Sequence, residues 1–206
     1  GLPCIPVQHH HAHVAAVAAE YGRSGPIVGL ALDGFGLGDH ADSRGGELLR
    51  VDGSRCDRLG HFAPLAQPGG DAAARQPWRM AAAALHRLDR ADEIAHRFAR
   101  FGNTALLVQM LDQGLNCPPT TSCGRWFDAA CGLLGVRSMS GFEGEAAMVL
   151  ESLVTRPTVL PGGWTIEDGV LDLMPLLDAL RGLPPATGAD LFHGTLVAAL
   201  VDWALP

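Results

Sequence analysis

The feature that most constrains this chain is an acidic, glycine-rich turn set between two strand-like runs. Ile27-Val-Gly-Leu-Ala-Leu32 is apolar and rich in branched residues, is bounded by Gly25-Pro26 and Asp33-Gly34, and reads as a buried strand. Asp33 then falls at its C-terminal edge, and Gly34 to Gly46 reads as a loop. Glu47 to Val51, an Asp52-Gly53 turn and Arg55 to Phe62 read as an antiparallel hairpin beside that strand. Glycines after an acidic strand end, here Gly34, Gly36 and Gly38, let backbone amides approach phosphate oxygens without side-chain obstruction. No Gly-Lys-Ser/Thr follows and no helix opens on the loop, which excludes a Walker loop and a Rossmann turn. Taken alone, the glycines are equally those of a plain flexible loop.

Upstream, Val7 to Glu20 is free of Gly and Pro, rich in Ala, and stopped by Gly22, as a helix would be. It contains His9-His10-His11-Ala12-His13. Histidines at i and i+4 share a helical face, so His9 and His13 can present imidazole nitrogens to one cation, while His10 and His11 are expected to point elsewhere. The helix runs out, the chain turns at Gly22 to Gly25, and the strand returns antiparallel over a comparable length. That path brings Asp33 back toward the helix start as a third ligand; the competing reading is a turn-forming Asp-Gly. Strand, Asp-Gly turn and antiparallel strand together match the phosphate hairpin of the actin and sugar-kinase architecture.

Beyond Pro68-Gly69-Gly70 the chain turns helical: Asp71 to Leu88, Ala91 to Phe101 and Asn103 to Leu115 carry helical spacing. Thr121-Ser122 offers an N-cap for a helix over Gly124 to Leu134. Asp128 lies one turn in, where a carboxylate can accept from ribose hydroxyls while the helix N-terminus offers amides to a phosphate; an ordinary amphipathic helix with a surface Asp is the alternative. Glu143-Gly144-Glu145 opens the next helix, its acids also explicable as partners of the helix dipole. Trp164 to Leu171 suggests a minor hairpin, Asp172 to Arg181 and Asp190 to Leu205 read as closing helices, and Pro184 to Gly188 as a joint. The expected division is a sheet-and-loop part over 1–70 and a helical part over 71–206, an α/β (α+β) chain with a small mixed sheet.

The 206 residues are 48% hydrophobic, which excludes bulk disorder, and a formal charge of -7 supplies no footprint for nucleic acid or an anionic membrane. No run approaches a membrane span and the start has no signal-peptide pattern, so a cytoplasmic protein is expected. Five cysteines with no C-x-x-C pair read as reduced thiols; Cys123 and Cys131, about two helical turns apart, cannot bridge.

In order, Val7-Gln-His-His-His-Ala-His13, Ala31-Leu-Asp-Gly-Phe-Gly-Leu-Gly38, Gly45-Gly-Glu47, Pro68-Gly-Gly-Asp71, Gln76-Pro-Trp-Arg79, Ser122-Cys-Gly-Arg-Trp-Phe-Asp-Ala129 and Phe142-Glu-Gly-Glu-Ala146 line the chain. From Val7 to about His193 it closely resembles the C-terminal carbamoyl-transfer domain of HypF, the carbamoyltransferase family of nickel-iron hydrogenase maturation, and more distantly the tRNA threonylcarbamoyl enzyme TsaD. The resemblance implies an actin-like (ASKHA-type) nucleotide-binding fold, here incomplete. It also implies a divalent metal, Zn or Fe, on His9, His13 and Asp33, which would serve catalysis. Carbamoyl phosphate and ATP would give carbamoyl adenylate, and the carbamoyl group would pass to the C-terminal cysteine of a HypE-like acceptor protein. By the same resemblance, Gly34, Gly36 and Gly38 would meet phosphate, and Gly124, Asp128, Gly144 and Glu145 would face the nucleoside.

The sequence departs from the pattern at the loop tip, where a Gly is expected near Ala41 and an aromatic at Arg44. The family's acylphosphatase, C-x-x-C and carbamoylating regions and its later Ser-Gly-Gly and Asp-Gly-Gly segments are not in this sequence, so the expectation is part of a larger domain, inactive in isolation. The alternative is a non-catalytic nucleotide- or metal-binding or interaction module. A metallohydrolase on His9 and His13 lacks the Glu beside the first His that a zincin helix uses as base.

Overall fold

The computed structural model describes residues 6–38 and 42–205; Cys4 and Ala41 lie outside them. Helix α1 (His9–Glu20) is followed by strands β1 (Ile27–Leu37), β2 (Ser43–Asp52), β3 (Arg55–Phe62) and β4 (Leu65–Ala66). Then come α2 (Asp71–Arg75), α3 (Pro77–Arg87), α4 (Ala91–Phe98), α5 (Thr104–Gln113), β5 (Pro119–Thr120), α6 (Cys123–Leu133) and α7 (Glu145–Ser152). β6 (Thr165–Glu167), β7 (Val170–Asp172), α8 (Met174–Leu180) and α9 (Pro185–Ala204) complete the order. The sheet runs β4-β5-β2-β3-β7-β6, with β1 on the other side of β2. It is mixed: β2 pairs antiparallel with β1 and β3, while β2–β5 and β3–β7 are parallel. The mixed α/β class expected from the sequence is the class observed.

The hairpin forms as expected, Asp52 opposite Arg55, with Gly53 in the left-handed region at φ 57°. β1 differs from expectation twice. It continues past Asp33 to Leu37, because Gly36 and Leu37 pair with Arg44 and Ser43 across a bulge that follows Leu32. Nor is it buried on both faces: Val28, Leu30 and Leu32 are 55%, 38% and 43% exposed, because the larger core includes Leu48 of β2, opposite Leu30, but no residue of β1. Its other face, with Ala31, meets α1 through Val14 and the β2 residues Leu49 and Val51. Strand alternation carries that face on to Asp33.

The larger core lies across the sheet, where Leu48 and Phe62 pack with Trp78 of α3, Trp126 of α6 and Phe192 of α9. The expected helix over Asp71 to Leu88 is broken, because Pro77 lacks an N–H and pushes Gln76 to φ -130°, ψ 78°. The expected joint at Pro184 to Gly188 is instead the first turn of α9, with Pro185 at a position where a missing N–H is harmless. Cys123 and Cys131 are buried thiols, pushed up to about 12 by desolvation.

Ser122 fixes α6 to the bulged strand. It caps the helix by accepting from Arg125 N at 3.2 Å and donates to Gly34 O at 2.7 Å, with Asp33 O at 3.1 Å. Ser122 is fully buried, so its loss orphans groups that water cannot reach. Ser122→Ala is expected to lower the unfolding free energy by about 1–2 kcal/mol in urea titrations.

Candidate metal centre

The first turn of α1 is capped by Gln8, whose Oε1 accepts from His11 N at 2.9 Å. From that turn and the next, His9 and His13 project on one face, their Nε2 atoms 3.1 Å apart. Asp33 Oδ2 lies 2.9 Å from His9 Nε2 and 3.8 Å from His13 Nε2. Two imidazole nitrogens and one carboxylate oxygen thus converge within 4.8 Å of one another. Ligands at about 2.0–2.1 Å around a tetrahedral cation stand about 3.3–3.4 Å apart, and the three separations bracket that value. A nitrogen–nitrogen–oxygen donor set suits Zn or Fe, so the residues present fit a divalent cation.

Burial alone would raise the Asp33 carboxyl, but the His9 hydrogen bond and the backbone N–H groups of Gly34 and Phe35 outweigh it and hold the group below its ordinary value. Gly34 N donates to Oδ1 at 2.6 Å, an anchor the bulge creates. Asp33 is therefore a carboxylate at neutral pH, ready to bind a cation. His11 points away, to Gly53 O at 3.1 Å, as expected.

His10 does not point away. It is fully buried, with Nε2 3.9 Å from Asp33 Oδ2, and burial pushes its pKa down. The signal for this placement was present in the sequence: His10 and Val14 stand at i and i+4, and Val14 is the apolar residue that packs on β1. Gly36 makes room for the rings, since a Cβ there would sit 2.5 Å from His10 Nε2 and 2.6 Å from His9 Cδ2.

A cavity of about 630 Å³ is lined by Gly34 and Phe35, which follow Asp33, and among others by Asp71, Arg75, Arg125 and Glu143. Gly34 faces it, packed beside Glu143. Gly38 is set against the Asp42 and Arg44 side chains, which form an ion pair with each other where the family resemblance suggested an aromatic. Gly124 lies at the start of α6, where a Cβ would come within 3.0 Å of Gly34 Cα, so it brings the helix end against the bulge. Asp128 lies deeper, buried 2.8 Å from Arg125 Nε, its carboxyl pushed up to about 7 by desolvation against the pull of that guanidinium. Gly144 is the left-handed N-cap of α7. Glu145 pairs with Arg137 and accepts from Gly141 N at 2.6 Å. The structure thus gathers His9, His13, Asp33, Gly34 and Gly36, sets Gly124 behind them, and keeps Asp128 and Glu145 in ion pairs. Arg125 and Glu143 stand inside motifs that carry the family resemblance and Arg75 in none, but nothing local shows that the three line one cavity, because they meet only through tertiary packing.

From β1 onward the chain is of the Kae1-like class of carbamoyltransferase domains. The family model described as "Carbamoyltransferase, Kae1-like Domain, second subdomain" matches residues 29–206. The chain belongs to the HypF carbamoyltransferase family. It is 50% identical to "Carbamoyltransferase HypF2" of Cupriavidus necator, covering 100% of this chain and 29% of that protein. It is 48% identical to "Carbamoyltransferase HypF" of Rhizobium leguminosarum bv. viciae, covering 98% of this chain and 27% of the relative. The fold superposes on full-length HypF crystallised in its phosphate- and nucleotide-bound form with a TM-score of 0.84, at 31% identity over 98% of this chain and 33% of that one. T. kodakarensis HypF gives a TM-score of 0.84 at 30% identity, covering 99% of this chain and 29% of that one. The chain therefore spans about a third or less of these relatives.

Proposed function

We propose that this chain forms part of a HypF-type transfer site, which passes a carbamoyl group from carbamoyl adenylate to the C-terminal cysteine of a HypE-like acceptor in hydrogenase maturation. The observation that carries the proposal is the convergence of His9, His13 and Asp33 on one point, next in sequence to Gly34 and Phe35, which line a cavity that holds two arginines. His9, His13 and Asp33 would hold a divalent cation, Zn or Fe. When bound, it supplies positive charge to a carbonyl or phosphate oxygen as the acyl group moves.

The protein's own groups do the rest. Arg75 and Arg125 face the cavity as fixed cations suited to phosphate, and Asp71 and Glu143 supply acceptors for hydroxyl or amino groups. Gly34 borders the cavity directly after Asp33 and leaves room for the Glu143 carboxylate beside it. The cysteines of α6 are not the thiolate acceptor, since both are buried and protonated at neutral pH, which is consistent with a thiol arriving on another protein. The acidic balance of the chain and the absence, among the described residues, of any helix long and apolar enough to cross a membrane fit small-molecule and protein partners.

The test is a chimera in which this chain replaces the matching segment of a full-length HypF, assayed with radiolabelled carbamoyl phosphate, ATP and HypE. Label is expected on HypE. His13→Ala in the chimera is expected to abolish labelling while carbamoyl-phosphate-dependent ATP cleavage by the other domains persists. A chimera that binds cation and nucleotide yet labels no HypE would favour a binding module instead.

A further inference from the structure

The cap of α1 sets the proton of His10. An α-helix leaves its first N–H groups without internal acceptors, and Gln8 Oε1 satisfies that of His11 at 2.9 Å. This fixes which end of the Gln8 amide faces which way. Its Nε2, a donor only, then lies 3.1 Å from His10 Nδ1 and 3.4 Å from Leu37 O. His10 Nδ1 must therefore accept, and a neutral imidazole with a bare Nδ1 carries its proton on Nε2.

That Nε2–H is buried and has no hydrogen-bond partner among the described residues. A buried donor left unpaired costs about 1–3 kcal/mol, so its placement calls for an acceptor. An acceptor stands just out of reach at Asp33 Oδ2, 3.9 Å away and engaged by His9 Nε2 at 2.9 Å. To bind a cation through their Nε2 atoms, His9 and His13 must both present lone pairs there. His9 then ceases to donate to Asp33, and the carboxylate loses the contact that orients its Oδ2.

We propose that His10 is a positioning residue for the metal centre: when a divalent cation binds, its Nε2–H takes over from His9 as the donor to Asp33 Oδ2 and holds that carboxylate on the cation. This rests on reading His9, His13 and Asp33 as the cation site. A carboxylate oxygen has two lone pairs, so it can bind the cation and accept from His10 together. The fixed proton also keeps His10 itself from becoming a third nitrogen ligand, which leaves the donor set as two nitrogens and one oxygen. Metal sites generally depend on such outer partners, whose loss weakens binding about 10–100-fold.

The experiment uses the full 206-residue chain with ¹⁵N-labelled histidine, observed by NMR before and after Zn²⁺ addition. His10 is expected to show a bare Nδ1 and a protonated Nε2 in both states, with the Nε2 proton shifting downfield on Zn²⁺ binding, while His9 loses its Nε2 proton and the Nε2 signals of both His9 and His13 move as they bind the cation. In parallel, Zn²⁺ affinity is measured by competition with a chromophoric chelator. His10→Phe, which keeps the ring without the donor, is expected to weaken Zn²⁺ about 10–100-fold without lowering the metal-free unfolding midpoint. A His10 Nε2 that loses its proton to Zn²⁺, a protonated Nδ1, or a His10→Phe affinity within twofold of the parent overturns the role of His10 and leaves the metal site standing. No Zn²⁺ binding by the parent chain overturns both.

Discussion

Asp33→Ala is expected to abolish stoichiometric binding of a divalent cation, and His13→Ala to do the same, because each removes one of three converging donors. Losing a direct ligand must exceed the about 10–100-fold penalty typical of outer-shell partners. His11→Ala is the matched control. It lies on the same helix turn, but its Nε2 donates to Gly53 O and not toward the cluster, so bound metal should be unchanged and only modest stability lost.

The same experiment has a thermodynamic reading. A ligand that binds the native state alone adds about 2.7 kcal/mol to its stability at a hundred times its dissociation constant. For a chain of this size that corresponds to about 5–10 °C in unfolding midpoint. Zn²⁺ is expected to give that increment in the parent and His11→Ala chains and none in Asp33→Ala or His13→Ala. Equal increments in all four would place the cation elsewhere. Metal content by elemental analysis and the midpoint shift must agree, since the first counts ions and the second reports whether they are held by the fold.

How His9, His13 and Asp33 come together is legible in the sequence because it depends on two local periods. The helical repeat aligns His9 with His13, and a helix followed by a returning strand of similar length brings Asp33 back to the helix start. The capping of α6 by Ser122 and the hairpin at Asp52-Gly53 were equally local. What could not be read is what depends on partners distant in sequence. β1 looked buried because its residues are apolar, yet strand composition does not say what packs on each face of a strand, and Val28, Leu30 and Leu32 stand exposed. The glycines after Asp33 looked like a loop because nothing local announces that Gly36 and Leu37 pair with Arg44 and Ser43 across a bulge. The i, i+4 rule pairs His10 with Val14 as well as His9 with His13, but it does not say that both pairs will face β1 once the helix docks. In each case the missing information was the identity of the packing neighbour.

Gly36 is where that missing information has its largest consequence. One reason for a glycine here is an amide approaching a phosphate, but the surroundings of Gly36 supply another. A Cβ at this position would overlap the His10 ring and lie 2.6 Å from His9 Cδ2. The backbone cannot withdraw, because Gly36 is held in register opposite Arg44. The rings must move instead, and His10 is locked from behind by Gln8 while His9 is a donor of the cluster. Gly36→Val is therefore expected to destabilise the chain by about 1–3 kcal/mol through overpacking and to weaken the cation about as severely as removing a ligand, although all three donors remain. Gly38→Ala is the informative comparison: its new methyl would meet the ends of the Asp42 and Arg44 side chains, which can swing aside. If both substitutions leave Zn²⁺ affinity intact and impair only nucleotide binding, the glycines serve phosphate alone. If Gly36→Val loses the metal and Gly38→Ala keeps it, the strand is glycine at 36 because the histidine helix is pressed against it.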